Sequence, residues 1–160
     1  MRKSYLAAIA AAAVTLTATN VQAQSNVATQ SVAFEVQAIN SISVSGSPSL
    51  TIAAAVAGSA PTSVTASGSY AITTNEANRK ITASIGSNMP SGLTLSVLLG
   101  APSGGSAVSR NLTSLAQDVV TSISTLNQAG LSIGYTLAAT ALAGVVDGSR
   151  TVTYTVVNGA

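Results

Sequence analysis

The chain of 160 residues contains no cysteine, histidine or tryptophan, and only 6% of it is charged and 3% aromatic. Each shortage removes a class of function. Without cysteine there is neither a disulfide framework nor a thiolate nucleophile. Without histidine as well, the usual zinc ligands and the general base of neutral-pH catalysis are missing. Carboxylates remain, and there are four of them, Glu35, Glu76, Asp118 and Asp147. Glycoside hydrolysis needs two facing each other across about 5–10 Å, one of them shielded enough to hold its proton. Instead, Glu35 falls on the solvent phase of an alternating stretch, Glu76 and Asp147 lie in turn sequences, and Asp118 precedes an apolar run. Serine–lysine chemistry fails too, because Ala77 stands where a Ser-x-x-Lys motif ending at Lys80 needs serine. The chain reads as a non-enzyme, and no metal or cofactor is expected.

Positive charge is scarcer than the formal net of +2 suggests, since two of the six basic residues are Arg2 and Lys3. These head an export signal: a positive start, an apolar run at 6–14 (LAAIAAAAV), and Val21-Gln22-Ala23 as the small-residue cleavage site. The apolar run is far short of the roughly 20 residues that span a bilayer. Removing 23 residues leaves 137, in which four basic residues (Arg79, Lys80, Arg110, Arg150) balance four acidic ones. A neutral exported chain has no electrostatic footprint for nucleic acid or anionic membrane. Its expected location is outside the cell or on its surface, reached by the general secretory route.

What is present is alternation. Val32, Phe34, Val36, Ala38, Ile42 and Val44 share one parity, with Ser31, Glu35, Gln37, Ser41 and Ser43 on the other, which predicts a half-buried strand over 31–44, bent near Asn40. Leu50 and Ile52 predict a short strand, and the Gly/Ser/Pro-rich stretch 53–69 a loop with one short strand near Val64. Tyr70, Ile72 and Thr74, then Ile81, Ala83 and Ile85, flank Asn75-Glu76-Ala77-Asn78 and predict a hairpin. Further strands are expected over 93–99, 131–139 and 152–156. The spacing of Leu112, Leu115, Val119, Val120 and Ile123 fits either two short strands or a helical turn and a strand, and the Val/Ile/Thr content favours strands. The sum is one all-β domain, an antiparallel immunoglobulin-like sandwich of about eight strands, with a small barrel as the alternative. Phe34, Ile72, Ile81, Leu95, Ile133, Tyr135, Leu137, Val152 and Tyr154 are the expected core. The faces left for solvent are Ser, Thr, Ala and Gln, so the edges lack the charge that usually keeps β-proteins apart.

The export signal followed by SVAFEVQAINSISV, the central TTNEANRKITASI, and the terminal GLSIGYTLAATALAGVVDGSRTVTYTVVNGA together resemble the cysteine-free colonisation-factor type of fimbrial major subunit, and more broadly the donor-strand-assembled pilin-like sandwiches. That resemblance implies an incomplete sandwich whose N-terminal strand fills a groove in a neighbouring subunit. Val32, Phe34, Val36 and Ala38 would be the inserted side chains, and Val152, Tyr154 and Val156 would line the groove edge. The partners would be copies of the same chain or related subunits, in a fimbria-like filament or extracellular matrix. Two other readings stay open: a monomeric surface or carbohydrate-binding module, which needs an exposed aromatic platform, and an ice- or crystal-binding sheet using Thr151, Thr153 and Thr155. Processing is directly testable: exported protein is expected to have the intact mass of a chain beginning at Gln24, and retention of residues 1–23 would remove both the export and the neutrality arguments.

Overall fold

Alternation becomes strand wherever both residue phases have something to face, and the computed structural model, which describes residues 26–159, has nine strands and no helix among them. The expected signal at 1–23 lies outside the described residues. The chain falls into two units, Met1–Glu35 and Val36–Ala160. Of the first, residues 26–35 carry no strand and are exposed throughout. The second holds β1 (Asn40–Ser45), β2 (Val64–Thr74), β3 (Arg79–Ile85), β4 (Leu93–Leu99), β5 (Ser106–Ala107), β6 (Arg110–Asn111), β7 (Gln117–Ile123), β8 (Leu126–Ala139) and β9 (Val152–Asn158).

These form two antiparallel sheets, one ordered β1-β2-β8-β4-β6 and the other β5-β7-β3-β9. The expected sandwich is therefore present. Its core is the inner phase of both sheets: Tyr70 and Ile72 from β2, Leu95, Val97 and Leu99 from β4, and Leu131, Ile133 and Tyr135 from β8 face Ile81, Ala83 and Ile85 from β3 and Val119, Val120 and Ile123 from β7. Pairing partners keep a common phase, as with Leu95↔Leu137, Val97↔Tyr135 and Leu99↔Ile133, so one register turns all six of these side chains inward, while Leu98 takes the outer phase.

Four expectations need correction. The strand over 31–44 is realised only as β1, and 31–39 lie outside any strand, with Phe34 94% exposed rather than in the core. Leu50 and Ile52 form no strand, although Leu50 still packs against the core. Stretch 53–69 is loop only to residue 63, after which β2 runs without a break through Ser67-Gly68-Ser69. Finally, 75–78 do not close a hairpin: β2 pairs with β1 and β8, whereas β3 pairs with β7 and β9, so this turn carries the chain from one sheet to the other. Asn78, at φ 53°, supplies the left-handed residue that the crossing needs.

The ambiguous spacing at 112–123 also has a cause. Against β3, β7 slips register twice, between the Arg79 and Ile81 pairs and again before Thr82, and Ser122 sits at φ 61°. Each extra residue resets the alternation, which is how adjacent Val119 and Val120 both come to be buried and why the pattern imitates a helical period. In β8 the same device uses Gly130, at φ 71°, where the register with β2 shifts between Tyr70 and Ile72.

Ile133→Ala is expected to cost about 2–5 kcal/mol in chemical denaturation, because the side chain is fully enclosed and its loss leaves a cavity. Leu142→Ala, in an exposed loop, is expected to change stability by less than about 0.5 kcal/mol.

Candidate functional site at the open side of the sandwich

A two-sheet sandwich has two lateral sides to close. On the side of β4 and β7 the chain closes itself. Segment 106–113 passes from one sheet to the other: Val108 N donates to Val119 O (3.0 Å), Leu112 N to Leu95 O (2.7 Å), and Thr113 O accepts from Ile85 N (2.9 Å), with Leu112 buried beneath. On the opposite side, β1 and β9 are the rims, and each has a single ladder partner, β2 and β3 respectively. Neither rim contains a charged residue (NSISVS and VTYTVVN). Asn40, Ile42 and Val44 take the inner phase through their pairing with the buried Thr74, Ile72 and Tyr70, yet Val44 stays 55% exposed.

The three residues expected at a groove edge, Val152, Tyr154 and Val156, are the inner phase of β9; all are half-buried and pack against the core. Thr153 and Thr155 take the outer phase and are exposed. Tyr154 crosses the gap and its hydroxyl donates to that of Tyr135 on β8 at 2.9 Å. Burial, and then the Tyr135 hydroxyl, raise the Tyr154 pKa far above that of a free phenol, while burial alone lifts Tyr70 to about 12. Both therefore act as neutral packing groups.

The candidate donor residues lie elsewhere. Val32 (76% exposed), Phe34 and Val36 (77%) belong to the strandless stretch, as does the exposed Ala38. Val32 and Phe34 thus fall in the first unit, while Val36 and Ala38 open the second, ahead of β1. The structure also shows what holds the root of this arm, which sequence reasoning passed over as a turn. Asn75 N donates to Ile39 O (3.2 Å), its Oδ1 accepts from Ile39 N (2.8 Å), and its Nδ2 donates to Gln37 O (2.8 Å). Next to it, the buried Thr74 hydroxyl donates to Asn40 Oδ1 (2.8 Å) and accepts from Glu76 N (3.1 Å). Asn40 Nδ2 donates to the Glu76 carboxylate, which also pairs with Arg79, and Arg79 reaches Asn158 at the end of β9. The inter-sheet turn thus clasps the start of β1 and the end of β9 together. Three side chains able to mimic backbone groups within Asn75-Glu76-Ala77-Asn78 were the available signal.

The carboxylates do not converge. Asp118 pairs with Lys80 at 3.1 Å, Glu76 is in the clasp, and Glu35 and Asp147 are exposed; no metal-binding cluster of three occurs among the described residues. Two shallow depressions, of about 390 Å³ beside Thr65, Ser67, Leu98 and Thr136 and about 340 Å³ beside Ile39, Thr73, Asn75 and Asn127, contain no charged group. No helix of the described residues is long and apolar enough to cross a membrane. Comparison with protein-family models, with curated proteins and with solved structures finds no match for this chain.

The clasp has a pH signature. The Asn40 hydrogen bond, followed by the Arg79 interaction, holds the Glu76 carboxyl below the usual glutamate range. A carboxyl with a lowered folded-state pKa contributes stability that is present above its unfolded pKa and lost as pH falls through the folded one. Thermal stability of the wild type is therefore expected to decline as pH falls below the ordinary glutamate range, and Glu76→Gln to flatten that decline by lowering the neutral-pH melting temperature toward the acid value, as melting curves across pH would show.

Proposed function

We propose that the protein is a secreted structural subunit that assembles by β-strand addition, the arm 26–36 of one copy pairing along the β9 rim of another. The observation that carries this reading is the arm itself: Val32, Phe34 and Val36 hold one parity, are 76–94% exposed, and belong to no strand of their own chain. Alternating apolar residues pack well only as a strand with one face covered, and these three stand exposed. The complementary half is a rim of seven residues with free backbone groups, half-buried apolar side chains at every second position and no charge to repel an incoming strand. Main-chain hydrogen bonds would supply strength, and the alternation of Val152, Tyr154 and Val156 would supply register.

Because the arm of one copy meets a different surface of the next, one copy can receive an arm while giving its own to a third, and a head-to-tail contact whose rotation does not close propagates as an open filament. A structural filament or matrix subunit follows, with copies of this chain as partners. The alternative carbohydrate platform loses its material: Tyr70 and Tyr135 are buried, Tyr154 is half-buried, and Phe34 sits on the arm.

Sedimentation velocity over rising concentration tests the reading. Wild-type protein is expected to form large species, and a peptide spanning residues 26–36 to cap their growth. Phe34→Asp is expected to leave the melting temperature unchanged but to abolish assembly, since a desolvated carboxylate among apolar side chains costs several kcal/mol. A wild-type chain that stays monomeric throughout, or a Phe34→Asp chain that unfolds, would mean that the segment completes its own sandwich.

A further inference from the structure

The clasp divides the N-terminal region at a definite residue. The β1–β2 ladder ends at the Asn40↔Thr74 pair, because at Asn75 the main chain turns away toward the other sheet. Beyond that point the Asn75 side chain replaces the missing strand. Its amide oxygen and nitrogen bind Ile39 N and Gln37 O, both at 2.8 Å, and its own N–H binds Ile39 O at 3.2 Å. Residues 37 and 39 point the same way along an extended chain, so one primary amide can engage both as a peptide group would. Upstream of Gln37, residues 26–36 carry no strand, and Val32, Phe34 and Val36 are exposed.

We propose that Asn75 is the positioning residue that sets the boundary of the donor arm: it keeps residues 37–39 on their own subunit, so that the strand given to a second copy is 26–36, carried by Val32, Phe34 and Val36, with Ala38 withheld. This rests on the strand-addition reading and narrows it. Lengths agree with the division. Eleven residues extended at about 3.3 Å each reach about 36 Å, whereas the seven residues of β9 need only about 23 Å. The arm can cover its target without drawing on the clasped residues. Fixing its root also removes the freedom of the last tethered residues, so each encounter starts from one exit direction instead of many.

The test separates donating from accepting. Full-length Asn75→Ala is expected to bind a fluorescent 26–36 peptide within about twofold of wild type, because its own β9 rim is intact. Its seeded elongation, followed by light scattering, is expected to fall about tenfold, the scale of losing the two side-chain hydrogen bonds. In the wild-type background, Ala38→Asp is expected to elongate within about twofold of normal while Phe34→Asp does not elongate at all; this pair holds even if Asn75→Ala folds poorly. Wild-type elongation by Asn75→Ala, equal loss of peptide binding and elongation, or a block by Ala38→Asp as complete as that by Phe34→Asp would each overturn the boundary. Failure of the wild type itself to bind the peptide or assemble would instead sink strand addition, and the boundary with it.

Discussion

Every strand at the rim of a sheet leaves one row of backbone N–H and C=O groups without a partner, and in a sandwich the side chains beneath that rim lose cover at the same place. How a chain answers that problem on each of its two lateral sides shapes much of what surrounds it. Here the answers differ. Segment 106–113 spends eight residues crossing between the sheets, and seals one side with main-chain bonds to Leu95, Val119 and Ile85. Across the molecule, β1 and β9 stand as rims with Val44 uncovered and Val152, Tyr154 and Val156 only half-covered. The asymmetry is built into the connectivity, since among the described residues the ladder-bonded crossing at 106–113 lies on one side, while β1 and β9 each keep a single ladder partner on the other.

The open side is nevertheless held in shape. Tyr154 spans the gap to Tyr135, and the Asn40–Glu76–Arg79–Asn158 chain of polar contacts joins the beginning of β1 to the end of β9. Polar ties at one end, with a phenol pair between the sheets, fix the separation and register of the two rims, which is what the proposed strand addition would require. With only four acidic and six basic residues in the whole sequence, the protein places two of its charges, Glu76 and Arg79, in this tie.

Much of the fold was legible because the alternation was clean. Leu93 to Leu99, Leu131 to Leu137 and Val152 to Val156 each keep one phase, and each is strand in the structure. The misreadings have separate physical origins. Val64 to Ser69 reads as loop because small residues carry no strong pattern, yet pairing with β8 makes it strand regardless. The stretch around Asn75 reads as a hairpin because turn chemistry does not say whether the next strand rejoins the same sheet. Phe34 has the phase of a core residue, and phase alone cannot reveal whether the covering surface belongs to the same chain. For the candidate site, the β9 residues were readable as a strand face. The Asn75 clasp was not, since it depends on side chains meeting backbone 36–38 residues away.

The position of β9 in the sequence has a bearing on timing. Its one ladder partner is β3, about seventy residues earlier, so the rim comes into existence only when the last strand has emerged and found its place. Until then β3 itself is the uncovered edge, and the Tyr154–Tyr135 bond that props the sheets apart has not formed. In the proposed assembly, recognition of one subunit by another would thereby be linked to completion of synthesis: truncated chains that stop short of Val152 would lack the surface on which others grow, and would drop out without any separate act of quality control.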